Sequence, residues 1–153
     1  MMETIIMGAD HAGFSLKEDV KAFLKEEGWG VTDRGTDSEQ PVDYTDYAAP
    51  VAGEVAAGNY PRGILICGSG AGMAITANKF PGIRAVLSLD EEMARLSRQH
   101  NDSNILILAG RRTDAATARK IVRTWLATPF EGGRHQRRLD KIKAIEAGLF
   151  RKK

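Results

Sequence analysis

The sequence predicts a single three-layer α/β/α domain, doubly wound around a five-stranded parallel sheet. Three observations carry that expectation. Five short apolar runs recur along the chain, and each turns polar only at its carboxyl end. Helix-like segments with apolar residues at helical spacing separate them. No repeat, low-complexity tract or linker interrupts the alternation, so residues 1–153 read as one domain with one continuous core. Strands that stay apolar throughout are buried on both faces, and right-handed crossovers then give a Rossmann-like sheet covered by helices on each side.

Residues 4–9 (TIIMGA) are the first strand, which stops at Asp10. Over residues 14–27 Leu16, Val20, Phe23 and Leu24 share one helical face, and Gly28 and Gly30 end that helix. Residues 31–33 form a short second strand. Residues 35–43 are polar, contain Pro41 and read as a loop. Residues 44–57 are an alanine-rich helix. The third strand, 63–67 (GILIC), runs into Gly68, Gly70 and Gly72, after which a small-residue helix continues to about Lys79. Pro81-Gly82 turns the chain into a fourth strand over 83–87, and a fifth spans 104–108. Helices are predicted over 90–99, 113–127 and about 134–147.

Composition is ordinary for a globular protein, 42% apolar and 27% charged, which argues against a disordered or fibrous chain. No apolar stretch approaches the roughly 18 residues that span a bilayer, so no membrane partner is expected. The N-terminus lacks a basic-then-apolar signal design. A single cysteine, Cys67, suits a reduced, cytoplasmic setting. The net charge of +2 is uneven. Residues 133–153, the basic C-terminal helix and tail, hold eight Lys/Arg against two Asp/Glu, and the rest holds fourteen basic and eighteen acidic residues. Such a segment suits nucleic acid, an acidic partner or a phosphorylated small molecule. For Lys141, Lys143 and Arg151 to Lys153 a solvated helix face accounts for the charge. Nothing else speaks for nucleic acid, which is not expected as a partner.

Ligands of doubly wound sheets bind beyond the carboxyl ends of the strands. Asp10-His11 follows the first strand, Cys67-Gly68-Ser69-Gly70-Ala71-Gly72 the third, and Gly110-Arg111-Arg112 the fifth. Gln99-His100-Asn101-Asp102, just before the fifth strand, adds another histidine. Glycines at alternate positions let backbone N–H groups converge on an anion, and the helix that starts there adds its positive end. G-x-G-x-G is neither the dinucleotide fingerprint nor a nucleotide P-loop, and a plain tight turn is the alternative. A thiol at a helix N-terminus is shifted toward thiolate, so Cys67 is either a nucleophile or carbon base, or an inert core residue. The anion-binding loop beside it suits a developing enediolate. A receiver-type signalling domain would need an aspartate where Cys67 stands. Asp10 either caps the next helix or meets a ligand. His100 either closes its helix or acts as a general acid or base. His11, His100 and His135 show no metal-ligand spacing, so no metal is expected. Arg134 and Arg138 share a helix face and suit a phosphate, with Arg111 able to join them, while surface ion pairing is the alternative.

Residues 8–14 (GADHAGF), 64–72 (ILICGSGAG), 77–80 (ANKF), 82–85 (GIRA), 96–102 (LSRQHND) and 131–138 (EGGRHQRR) span nearly the whole chain. In this order they resemble the type B ribose-5-phosphate isomerases, whose wider family includes allose- and galactose-6-phosphate isomerases. The resemblance implies an aldose–ketose isomerase that interconverts ribose 5-phosphate and ribulose 5-phosphate through an enediolate. It implies Cys67 as the base between C2 and C1, His100 as the group assisting furanose opening, Asp10 near the ring hydroxyls and Ser69 against the substrate. The backbone of Gly68, Ser69, Gly70, Ala71 and Gly72, with Asn101, would hold the enediolate oxygens. His11, Arg111, Arg134 and Arg138 would line the phosphate end. One branch of the family uses a glutamate a few residues later instead of the cysteine. Met73 stands there in this chain, which places it in the cysteine branch. No cofactor is implied, and the expected assembly is a homodimer or homotetramer whose active site is shared between subunits. A six-carbon substrate, allose 6-phosphate or galactose 6-phosphate, stays open, as does a non-catalytic phosphosugar-binding module.

Overall fold

A computed structural model describes residues 3–149, so Arg151 to Lys153 lie outside the described residues. Strands β1 (Thr4–Ala9), β2 (Gly30–Asp33), β3 (Gly63–Cys67), β4 (Ala85–Leu87) and β5 (Ile105–Ala109) form one parallel sheet in the order β2-β1-β3-β5-β4. The helices are α1 (Phe14–Glu26), α2 (Tyr44–Ala56), α3 (Ala71–Ala77), α4 (Glu91–Asn101), α5 (Ala115–Ala127) and α6 (Arg134–Leu149).

The alternation of side chains along the apolar strands divides the core in two. Ile5, Met7, Ile64, Ile66, Leu106 and Leu108 face a layer built by α1, α4 and α5. Ile6, Leu65, Cys67, Ile105 and Ile107 face α2 and α3. Steps toward the β2 edge use α1 and α4, and steps away from it use α2 and α3, as right-handed crossovers require. The chain leaves β1 toward one edge and β3 toward the other, so a crevice opens between their carboxyl ends.

Local chemistry sets the boundaries. Asp90 Oδ1 accepts the Met93 N–H at 2.8 Å and starts α4, and Asp114 Oδ1 does the same for Thr117 at 2.7 Å and starts α5. The helix after the glycine loop ends at Ala77, short of Lys79, because the Asn78 side chain pairs with the Ala85 backbone at 2.9 Å in both directions. β4 correspondingly begins at Ala85, not at residue 83. Ile83 donates to Phe80 O within the preceding turn, and the Arg84 N–H goes to Asn104 Oδ1 at 2.8 Å.

Trp125 on α5 is fully buried, and its Nε1–H donates to Ser103 Oγ at 2.8 Å. Ser103 Oγ also pairs with Ser97 Oγ at 2.8 Å, which ties α5, α4 and the start of β5 together. α6 packs beside α4 and leaves Ile142, Ile145 and Leu149 exposed. Among the described residues no helix is long and apolar enough to cross a membrane.

Candidate active site

A cleft of about 380 Å³ lies at the carboxyl ends of β1, β3 and β5, lined by Asp10, His11, Tyr44, Cys67, Gly68, Ser69, Gly72, Arg111 and Arg112. Two larger clefts, about 480 and 460 Å³, open elsewhere. The arginines of the larger, Arg62, Arg84 and Arg98, are tied to Glu3, Asp102 and backbone carbonyls, and neither cleft is lined by a cysteine, serine or histidine. The chemistry concentrates in the smaller one.

Asp10 is buried, and its Oδ1 accepts the N–H groups of Ala12 at 3.0 Å and Gly13 at 3.1 Å. The two readings of Asp10 therefore coexist. One oxygen shapes the turn into α1, and the residue still lines the cleft. His11 Nδ1 accepts the Val42 N–H at 3.1 Å, which fixes the proton of the neutral ring on Nε2 and anchors the 35–43 loop.

Cys67 ends β3, is 4% exposed, and reaches the cleft from the α2/α3 side of the sheet. Its carbonyl accepts the Gly110 N–H at 2.7 Å and Gly68 O accepts the Arg111 N–H at 3.0 Å, so the β3 and β5 loops are stitched together. Gly70 has φ +82° with Leu87 and Ile107 packed where a side chain would stand, a conformation and a fit that demand glycine. A Cβ on Gly72 would lie 2.5 Å from the Tyr44 ring, so this glycine lets the tyrosine close over the loop. Ser69 is exposed, and its Oγ accepts the Ala71 N–H at 3.2 Å. Arg111 extends across Gly68 with its cationic end exposed to the cleft. Arg112, expected only as part of the segment after β5, lines the cleft, and so does Tyr44, which the sequence did not single out. The signal was available, because Tyr44 opens the helix that follows the loop at the carboxyl side of β2.

The remaining expected site residues lie elsewhere in the chain. α4 runs back toward the amino end of the sheet, where Asn104 O accepts the Gly63 N–H at 2.9 Å at the start of β3. His100 and Asn101 end α4 on that side, about 13 Å along β3 from Cys67 at 3.3 Å per residue. Arg134 and Arg138 go with them, since α6 starts beside the end of α4. The Glu131 N–H donates to Gln99 O at 3.1 Å, and the His135 ring stacks on His100 with centroids 4.3 Å apart and planes 14° apart. Arg111 does not join Arg134 and Arg138 within one chain. The site residues form two groups at opposite ends of one sheet because the strand-end rule describes the loops after strands, whereas 99–102 and 134–138 precede β5 and follow α5.

His100, Glu131 and His135 bring their donor atoms within 4.8 Å of one another. The near-parallel stack sends the two imidazole lone pairs along nearly parallel lines, so no single ion lies in both ring planes until the rings unstack. Burial, followed by the charges of His100, Arg134 and Arg138, pushes the His135 imidazolium down, with Glu131 opposing. His135 is therefore a neutral ring at neutral pH. Its Nε2 is buried without a hydrogen-bond partner among the described residues.

A cysteine, an aspartate, a histidine and an arginine meet around a glycine-rich loop at the strand ends of a doubly wound α/β protein. Residues 5–142 match the family model described as Ribose/Galactose Isomerase, and the chain belongs to that family. It is 50% identical to ribose-5-phosphate isomerase B of Escherichia coli (strain K12), an alignment covering 95% of this chain and 97% of that protein. The solved ribose-5-phosphate isomerase B of Clostridium thermocellum superposes with a TM-score of 0.94 at 47% identity, covering 95% of this chain and 99% of that one. Ribose-5-phosphate isomerase B of Mycoplasma genitalium, solved with bound ribulose-5-phosphate, gives 0.91 at 40% identity, covering 95% and 98%.

Proposed function

We propose that this chain is an enzyme that interconverts ribose 5-phosphate and ribulose 5-phosphate through an enediolate, with Cys67 as the base. The observation that carries the reading is Cys67 at the foot of the 68–72 backbone loop, in one cleft with Asp10, His11 and Arg111. The proton on C2 of the open-chain aldose is weakly acidic, and the charge left on removing it sits on O1 and O2. Backbone N–H groups in a dry loop stabilise such a charge by about 3 kcal/mol apiece. Cys67 takes the proton from C2 and returns it to C1, while a second proton passes from O2 to O1. Atoms and charge balance without a redox cofactor.

Ribose 5-phosphate is mostly a closed furanose, so a proton must first be given to O4 and another taken from the C1 hydroxyl. His100 suits that step, with Asp10 near the ring hydroxyls and Asn101 assisting the enediolate. His11, Arg111, Arg134 and Arg138 serve the phosphate, whose binding holds the open chain in register. One chain holds Cys67 and His100 at opposite ends of its sheet. The complete site therefore needs two chains, one giving Asp10, His11, Cys67, Ser69 and Arg111, the other giving His100, Asn101, Arg134 and Arg138. That is a homodimer or a homotetramer with shared sites. A reducing cytoplasm suits an enzyme that depends on a free thiol. The test is a comparison of kcat/KM for ribose 5-phosphate, allose 6-phosphate and galactose 6-phosphate. The five-carbon sugar is expected to lead by tenfold or more, and equal or reversed preference would overturn the substrate assignment.

A further inference from the structure

Two imidazoles from different helices, thirty-five positions apart in sequence, stack face to face. His100 is half-buried at the end of α4, and His135 is buried in the first turn of α6. The neighbours of His135 on its helix, Arg134, Gln136 and Arg138, are exposed, so it alone in that turn points into the protein. Its buried Nε2 meets no partner among the described residues, so what the ring contributes here is its face. The platform is itself held firmly. The Glu131 N–H donates to Gln99 O beside it, and Arg98 spans from Thr128 O at 3.2 Å to Asp102 Oδ1 at 2.9 Å, fixing the 128–133 segment to the end of α4.

We propose that His135 is the positioning residue for His100, a buried aromatic platform that holds the His100 ring in the orientation needed for opening the furanose. The inference rests on the ring-opening role proposed for His100. A general acid or base works only within hydrogen-bond reach and angle of its target, and an unsupported histidine at a helix end would populate several rotamers. A stacked neutral ring restricts that freedom without competing for the proton being transferred.

Ribulose 5-phosphate supplies a test that separates ring opening from the enediolate chemistry. Its C5 oxygen carries the phosphate and cannot close on C2, so the ketose stays open-chain. Exchange of its C1 hydrogen with solvent needs the base and the enediolate but no ring opening. For wild type, His135→Ala and His135→Phe, two rates are measured in D₂O, conversion of ribose 5-phosphate and deuterium entry at C1 of ribulose 5-phosphate. His135→Ala is expected to lower kcat for ribose 5-phosphate by about tenfold or more, while C1 exchange stays within about threefold of wild type. KM should change little, because Arg134 and Arg138 are exposed and take no part in the ring stack. His135→Phe restores a stacking face and should restore kcat to within about threefold. Equal loss of both rates in the alanine variant, no loss in either, or a phenylalanine variant as impaired as alanine would overturn the proposal. A wild-type protein inactive in both assays would instead overturn the isomerase reading, and this inference with it.

Discussion

Gly13→Ala probes how closely the entry to α1 is fitted against the strand that ends in Cys67. Gly13 has φ −98°, which any residue adopts, so only space opposes the change. An added Cβ would lie 2.3 Å from Ile66 O and 2.6 Å from Ile66 C. Carbon and oxygen rest at about 3.3 Å even in close C–H···O contacts, so α1 and β3 must separate by about 1 Å. The obstructing oxygen is backbone and already accepts the Asp10 N–H at 3.3 Å, so it cannot swing aside as a flexible side chain would. The bond from the Gly13 N–H to Asp10 Oδ1, 3.1 Å long, is disturbed at the same time. Overpacking of about 2 kcal/mol with about 1 kcal/mol for the hydrogen bond gives roughly 3 kcal/mol. With a urea slope of about 2 kcal/mol/M the unfolding midpoint should fall by roughly 1.5 M. Displacing Asp10 from Cys67 by about 1 Å should cost about a hundredfold in kcat/KM. Gly58→Ala is the control. It meets open space and only carries a positive φ, so it should cost about 1 kcal/mol and leave activity intact. A Gly13→Ala protein with a midpoint within about 0.3 M of wild type and near-normal kcat/KM would mean that α1 is not fitted this tightly against β3.

The buried Lys17 ammonium lies 2.5 Å from Asp33 Oδ2, and Asp33 also holds Lys21 at 2.8 Å and the Gly35 N–H at 2.8 Å. Lys17→Met leaves Asp33 those other partners, so the loss should be about 1–2 kcal/mol, below the 3–5 kcal/mol of a buried pair broken outright. Burial pushes the Asp33 carboxyl up, but Lys17, Lys21 and Gly35 outweigh it and hold it below its usual value of 3.8. Its stabilisation is therefore present above about pH 4 and lost as pH falls through the lower native value. Urea melts of wild type and variant should converge on acidification, and a gap that stays constant from pH 7 to pH 2.5 would contradict the pairing. For the shared site, Cys67→Ala and His100→Ala proteins, each inactive, are unfolded together and refolded. Mixed dimers carry one intact site, so about a quarter of wild-type activity should return, and no recovery would place the whole site in one chain.

Much of the fold was legible because apolar strands and glycine punctuation are local signals. All five strands and six helices stand within a few residues of their expected places. The misplaced boundaries, at residues 77 and 85, were set by the Asn78 side chain bonding across to β4, a partner that periodicity cannot name. The strand order was not legible either, since an apolar run does not say which neighbour it joins. In the site, the meeting of Cys67 and the 68–72 loop in one cleft was readable because both stand at the carboxyl end of an apolar strand, where doubly wound sheets open. Tyr44 was overlooked because a tyrosine at a helix start looks like ordinary surface until Gly72 is seen beneath its ring. The separation of Cys67 from His100 follows from the direction in which α4 runs, and the His100–His135 stack from the return of α6, both of which are tertiary facts.

Cys67 as the base of an enediolate isomerase is put to the test by proton NMR of the protein with ribose 5-phosphate in D₂O and EDTA, beside Cys67→Ala. Ribulose 5-phosphate should form with solvent deuterium entering the product, and the alanine variant should lose that conversion while remaining folded. Undiminished conversion in the Cys67→Ala protein would exclude Cys67 as the base and move that role to another residue of the cleft.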